Sequence, residues 1–319
     1  MEEARRPLRI EPGALLTTLV PRRRAGLLEV SPDLRWAAEA GADGPVEVWS
    51  LATGKVQARL SEGGRVEFSR QGGYLLGGED DLTVWETEGW TQVPLPFVVP
   101  QACLSDQWLV GWAHGVHVWS LPVGDCVASL DLLTDELTPW LACCPGGRLL
   151  ATCTEVLEEP HYWSTYRVEW FSLPEAHRLG ELEWVRTGRR PLGLVFSECG
   201  QVLALPLRGG EVLLWNLTTG QPLPGLEVQA DGFCFATPGL ALVLQSERLS
   251  LWEIDSGRAV GGYLELPQTQ SLRGSASHAF SSGADGVRVW DLPALVQLLS
   301  SSPGRLGLEA GKFVLSDEF

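Results

Sequence analysis

The chain has 319 residues, 45% apolar and 20% charged, a balance that excludes a disordered polymer and allows one large domain or two ordinary ones. Forty acidic against 24 basic residues leave a formal charge of −16, which repels phosphate backbones and anionic membrane surfaces. No apolar run reaches the roughly 20 residues that span a bilayer, and the N-terminus leads into no signal-peptide core. Seven cysteines without C-x-x-C spacing read as free thiols in a reducing, cytoplasmic setting. Two lysines (Lys55, Lys312) against 22 arginines fit a GC-rich, bacterial coding sequence.

In chain order, Leu15–Val20 reads as a strand and Pro21-Arg-Arg-Arg24 as a basic loop. A short apolar run ending in a large aromatic then recurs seven times. The copies are Val46-Glu-Val-Trp49, Leu82-Thr-Val-Trp85, Val116-His-Val-Trp119, Val168-Glu-Trp-Phe171, Val212-Leu-Leu-Trp215, Leu249-Ser-Leu-Trp252 and Val287-Arg-Val-Trp290. Successive aromatics lie 36, 34, 52, 44, 37 and 38 residues apart, a period that marks a repeat architecture. A glycine follows five residues after the aromatic at Gly54, Gly124, Gly220 and Gly257, and four after it at Gly89. Upstream lies a strand and tight turn, as in Val66-Glu-Phe-Ser69 before Gly72 and Leu194-Val-Phe-Ser197 before Gly200. Helical periodicity is absent over long windows, so each unit holds about four short strands, a to d, with the aromatic closing strand c.

A four-stranded sheet apolar on both faces, as Val212-Leu-Leu-Trp215 requires, stays dry only when copies stack radially and close a ring. The predicted fold is an all-β, seven-bladed β-propeller with four antiparallel strands per blade. The blades fall at about 25–62, 65–98, 101–131, 139–184, 191–226, 230–265 and 270–292, and residues 13–20 supply the last strand of blade 7. Residues 294–319 are an extra helix or tail; the alternative makes Leu295–Leu299 the closing strand.

These residues resemble the WD-repeat β-propellers over residues 13 to about 292. Asp285-Gly-Val-Arg-Val-Trp-Asp291 matches the end of that repeat, and Asp43-Gly-Pro-Val-Glu-Val-Trp49 nearly does. The family's Gly-His pair is missing, and Trp-Asp survives only at 290–291, so its His–Ser/Thr–Asp–Trp hydrogen-bond network is mostly absent. The resemblance implies a rigid, mostly noncatalytic scaffold or adaptor that presents loops and a central channel to peptides or proteins. A fold does not by itself select a function.

The candidate binding region is the face where b–c and d–a loops emerge. The a–b glycine precedes the aromatic by 13, 15 and 13 residues at Gly72, Gly200 and Gly239, but by 24 at Gly147. The excess falls in the b–c loop of blade 4, which carries Glu155, Glu158, Glu159, His161, Tyr162, Trp163 and Tyr166, acids and aromatics of the kind that anchor interfaces. The long entry to this blade adds Asp135, Glu136 and Trp140, and its exit adds Arg186, Arg189 and Arg190. The alternative is a longer hairpin whose aromatics pack on their own blade. Arg22, Arg23 and Arg24 form a secondary basic loop that suits a carboxylate cluster or phosphopeptide, or is simply a solvated charge run.

Nucleophile elbows, phosphate-binding glycine loops and zinc spacings are missing; the histidines at 114, 117, 161, 177 and 278 form no local ligand set. No cofactor or metal is implied. The expected function is a noncatalytic interaction scaffold, a regulatory subunit of a bacterial signalling, regulatory or defence assembly with protein or peptide partners. A propeller hydrolase or lyase working at the channel mouth is the alternative. Nucleic-acid binding ranks third, and no membrane partner is expected.

Overall fold

Strand c shows why the sheets must stack. In Val46-Glu-Val-Trp49 both valines are fully buried and the tryptophan is 3% exposed, although adjacent strand residues point to opposite faces. Both faces are therefore covered, and the structure, a computed structural model, covers them with neighbouring sheets. It describes all residues except 1–12, 21–26, 41–43, 63, 79–80, 96–98, 114, 131–138, 157–163, 187–188, 284–285, 303, 310–311 and 316–319.

Seven antiparallel meanders form the ring. Blade 1 comprises Leu27–Val30, Trp36–Ala40, Pro45–Ser50 and Val56–Glu62; blade 2, Arg65–Phe68, Tyr74–Gly78, Thr83–Glu86 and Thr91–Gln92. Blade 3 comprises Gln101–Leu104, Trp108–Trp112, Val116–Ser120 and Cys126–Leu130; blade 4, Trp140–Cys143, Leu149–Val156, Ser164–Ser172 and Arg178–Arg186. Blade 5 comprises Val195–Phe196, Val202–Pro206, Val212–Asn216 and Gln221–Pro222; blade 6, Gly232–Thr237, Leu240–Gln245, Arg248–Glu253 and Arg258–Glu265. Blade 7 takes Thr269–Gly274, His278–Gly283 and Gly286–Asp291 from the C-terminal part and Leu15–Leu19 as its d-strand. That last strand runs antiparallel to strand c with Leu15 opposite Trp290 and Leu19 opposite Val287, so the N-terminal segment closes the ring as its sequence position predicts.

Every landmark aromatic packs toward the preceding blade. Trp49 joins Val287 and Val289 of blade 7, Trp85 joins Ala38 and Val48 of blade 1, and Trp119 joins Leu76 and Val84 of blade 2. Phe171, Trp215, Trp252 and Trp290 repeat the contact around the rest of the ring. A ring system burying about 150–250 Å² contributes at most about 4–6 kcal/mol by area, a large share for one side chain at each inter-blade seam.

Two turn devices repeat with them. At the a–b turn a side chain accepts the first b-strand N–H: Ser31 from Trp36 (2.9 Å), Ser69 from Tyr74 (3.0 Å), Ser105 from Trp108 (2.9 Å), Ser197 from Val202 (2.9 Å) and Ser275 from His278 (3.1 Å). In blade 4 the sulfur of Cys144 takes that place, accepting from Leu149 at 3.2 Å. At the c–d turn the residue five after the aromatic is left-handed in six blades: Gly54, Trp90, Gly124, Ala176, Gly220 and Gly257. Gly89 is therefore not the turn glycine of blade 2. Trp90 holds that conformation (φ 54°) with its ring edge-on to Trp36 of blade 1, centroids 5.3 Å apart.

After blade 7, helix α1 (Leu292–Ser301) starts at Asp291, whose side chain accepts from the N–H of Ala294 at 2.8 Å. Its apolar side, Leu292, Leu295 and Leu299, packs on the core of blade 6. The alternative that made Leu295–Leu299 a closing strand is thereby corrected: leucines spaced by three and four suit a helix, and Leu15–Leu19 already occupies the edge. Arg305–Glu309 then runs parallel to the d-strand of blade 6 and Lys312–Leu315 pairs outside it, giving a six-stranded sheet. No helix among the described residues is long and apolar enough to cross a membrane.

Candidate functional site

The a-strands surround a channel of about 570 Å³ whose wall is divided by chemistry. Blades 7, 1 and 2 supply charge. Arg273 Nη1 donates to Glu29 Oε1 at 3.1 Å, bridging blades 7 and 1, and Arg65 pairs with Glu67 within blade 2. Blades 4 to 6 face them with Leu141, Val195, Phe233 and Phe235. Burial pushes the Glu29 carboxyl above the usual range despite Arg273. Burial also pushes Glu67 upward, but Arg65 and Arg273 outweigh it and hold that carboxyl below the usual range. The Glu29 carboxylate in turn raises Arg273. The arc therefore offers arginine-held carboxylates.

At the a–b end Arg70 reaches across the ring. Its Nη1 donates to the carbonyl of Gly274 in blade 7 at 3.2 Å, and its Nη2 pairs with Glu198 on the a–b turn of blade 5. Desolvation lowers the Arg70 pKa, with Cys234 and Asp106 opposing. One side chain thus ties three blades together over this mouth.

The opposite face carries the b–c and d–a connections. A second cavity of about 360 Å³ lies there, lined by Leu192, Arg208, Asp231, Glu247 and Gln270. Its carboxylates hold backbone: Asp231 Oδ2 accepts from Ser246 N at 2.7 Å and Glu247 Oε1 from Gln268 N at 2.6 Å. Ser246, Glu247 and Gln268 are all left-handed (φ 46°, 66° and 62°).

Blade 4 is the tallest sheet on this face. Its b-, c- and d-strands run to eight, nine and nine residues, with Val156 opposite Thr165 and Ser164 opposite Arg186. Against the five-residue c-strands of blades 3 and 5, four extra residues at about 3.3 Å each carry the hairpin roughly 13 Å further. Much of the extra sequence thus lengthens the strands that flank the loop.

The sequence-predicted residues divide accordingly. Tyr166 is 1% exposed, its ring 6.1 Å from that of Trp140 and packed with Leu194, Leu205 and Leu207 of blade 5. This corrects its assignment as a partner anchor: Tyr166 is two residues from Val168 and shares its inward face. Trp140 is half-buried and lines the channel, Glu155 is half-buried on the lengthened b-strand, and Arg189 and Arg190 are exposed at the exit from blade 4. The carbonyl of Arg190 accepts from Arg208 N at 2.9 Å, fixing that exit to blade 5. Arg186 ends the d-strand, with its side chain outside the described residues. Glu158, Glu159, His161, Tyr162, Trp163, Asp135, Glu136 and Arg22 to Arg24 also lie outside them. The charged arc of the channel was missed, although two charges at i and i+2 in Arg65-Val-Glu67 put both on one face of an inner strand. Among the described residues no three His, Cys, Asp or Glu side chains converge as a metal site.

Comparison with known proteins agrees on architecture. The chain resembles the β-propeller domain of Cps50 (Swd1) from Myceliophteria thermophila with a TM-score of 0.61, covering 88% of this chain and 99% of that one at 14% identity. Matches extend to 1188 chains of solved structures, too many for the fold to single out a partner. No protein-family model and no curated protein sequence matches.

Proposed function

We propose that this chain is a noncatalytic protein-interaction scaffold, an adaptor or regulatory subunit that holds a protein or peptide partner on its b–c/d–a face beside blade 4. The observation that carries this reading is the lengthening of blade 4, whose eight- and nine-residue b-, c- and d-strands flank the sequence insertion at 157–163 and lead into exposed Arg189 and Arg190. The strands flanking it are held by Tyr166 and Trp140 against blade 5, a pre-ordered base of the kind that lowers the entropic cost of binding. In sequence, the acidic and aromatic insertion of blade 4 and its basic exit supply both signs of charge, which suits a polar partner. The bacterial regulatory, signalling or defence setting belongs to this proposal and rests on composition alone.

The test compares affinity capture from the native host by the wild type, by Tyr162→Ala/Trp163→Ala and by Arg189→Glu/Arg190→Glu. A stoichiometric partner held by the wild type and lost from both variants is the expected result. Retention by both variants overturns the assignment to this face. Turnover in an esterase, lactonase and phosphatase screen that copurifies with the folded propeller overturns the noncatalytic part.

A further inference from the structure

Cysteines sit in two kinds of place in this fold. Cys126 and Cys199 are exposed, whereas the other five are buried or half-buried in or beside the inner strands. Two of these meet across a blade boundary: Cys103 on the a-strand of blade 3 and Cys143 on the a-strand of blade 4, their sulfurs 3.2 Å apart. Both line the channel, so a small solute reaches them without any blade opening. Cys144 is adjacent in sequence but points toward blade 5, its sulfur accepting from the N–H groups of Arg148 and Leu149.

We propose that Cys103 and Cys143 are an oxidisable dithiol which a peroxide-class oxidant converts to a disulfide, stapling blade 3 to blade 4 in the channel wall. The sulfurs need to close by about 1.1 Å to reach the bond length of about 2.05 Å, a movement within reach of two side-chain rotations. The chemistry balances in two steps. One thiolate attacks a peroxide oxygen, the O–O bond breaks, and a sulfenic acid forms with loss of one water once protons are counted. The second thiolate attacks the sulfenic sulfur, the S–O bond breaks, and the disulfide forms with loss of a second water. Two thiols lose two electrons and two protons; one hydrogen peroxide becomes two waters.

The surroundings set the rate. The groups facing Cys143 are the Cys103 and Cys144 thiols and the Glu67 carboxylate, which Arg65 partly neutralises. The hydrogen bond with Cys103 holds the Cys143 thiol well above its ordinary value, with burial second. Little Cys143 thiolate exists at neutral pH, so attack by Cys143 is slow there and accelerates as the pH rises. This suits sustained oxidant exposure rather than a fast sensor. The inference stands on the thiol geometry and does not depend on the scaffold reading.

The full chain carrying Cys126→Ser/Cys199→Ser is treated with hydrogen peroxide at pH 8.5, unfolded and alkylated. A protease cutting after Glu136 separates Cys103 from Cys143. The expected result is two fewer alkylatable thiols and one linked pair of peptides, absent when Cys103 or Cys143 is serine and present in Cys144→Ser. The oxidised form is expected to unfold about 3–6 °C higher and to revert on reduction. Alkylation of both Cys103 and Cys143 after oxidation overturns the proposal, as does a linkage that persists without Cys143. The thiol count on the parent protein decides the matter even if a serine variant fails to fold.

Discussion

Substituting alanine at two equivalent glycines separates backbone strain from steric exclusion. Gly124 and Gly220 each lie five residues after a landmark tryptophan, with φ of 81° and 68°. An L-residue in that conformation costs about 1–2 kcal/mol, and the stiffer unfolded chain returns about 0.4–1 of it. For Gly220, whose added Cβ meets nothing within 4 Å, the net loss is therefore about 0.5–1 kcal/mol. At Gly124 the added Cβ lies 2.0 Å from the carbonyl oxygen of Pro94, just after the d-strand of blade 2, and a backbone oxygen cannot rotate aside. Overpacking of that kind adds about 1–3 kcal/mol, for a total near 2–4. With 319 residues, about 1.5 °C of midpoint shift accompanies each kcal/mol. Calorimetry should then find Gly220→Ala lower by about 1 °C and Gly124→Ala by about 3–6 °C, while Ala176→Gly, at the same turn position (φ 57°), gains about 1 °C. Equal losses at the two glycines would refute the claim that blade 3 seats this turn on the backbone of blade 2.

Other expectations follow from the ring and its buried groups. Deleting residues 13–20 leaves the outer edge of the blade 7 c-strand unpaired and the ring open, and should abolish cooperative unfolding, read by circular dichroism and size-exclusion chromatography. Trp290→Phe removes the donor that Nε1 supplies to buried Ser281 Oγ at 2.9 Å and should lower the denaturation free energy by about 1–3 kcal/mol in urea titrations. In the native state at pH 7.5, alkylation mapped by mass spectrometry should reach Cys126 and Cys199 and spare Cys234, whose thiol burial pushes up to about 12, and Cys153, which burial also raises.

Legibility followed locality. The wedge aromatic could be read because each copy does its work within one strand and against one neighbour, so its spacing in sequence is its spacing in space. The c–d turn was legible only where glycine fills it: Ala176 and Trp90 hold the same left-handed position without that signature. Trp90 shows that an aromatic contact with Trp36 can occupy a conformation the sequence marks only with glycine. In the helix, the three-and-four spacing of Leu292, Leu295 and Leu299 separates the helix reading of this segment from its rival strand reading.

The site divides along the same line. Extra length in blade 4 was visible as a count of residues, yet a count cannot tell loop from strand. Period two from Val168 turns Tyr166 inward, so the aromatic nearest the root of the insertion serves the blade 4–5 core. The channel was out of reach for a different reason. Arg273 meets Glu29 across 244 residues, and Arg70 meets Gly274 across 204, contacts that exist only because the ring closes. Arg70 also joins blade 2 to blades 7 and 5, which no turn connects to it, so removing Arg70 should loosen the a–b mouth without touching any wedge tryptophan. The channel charges thereby complement the N-terminal strand: that strand closes the outer edge, while Arg273 with Glu29 closes the same blade 7–blade 1 seam from inside.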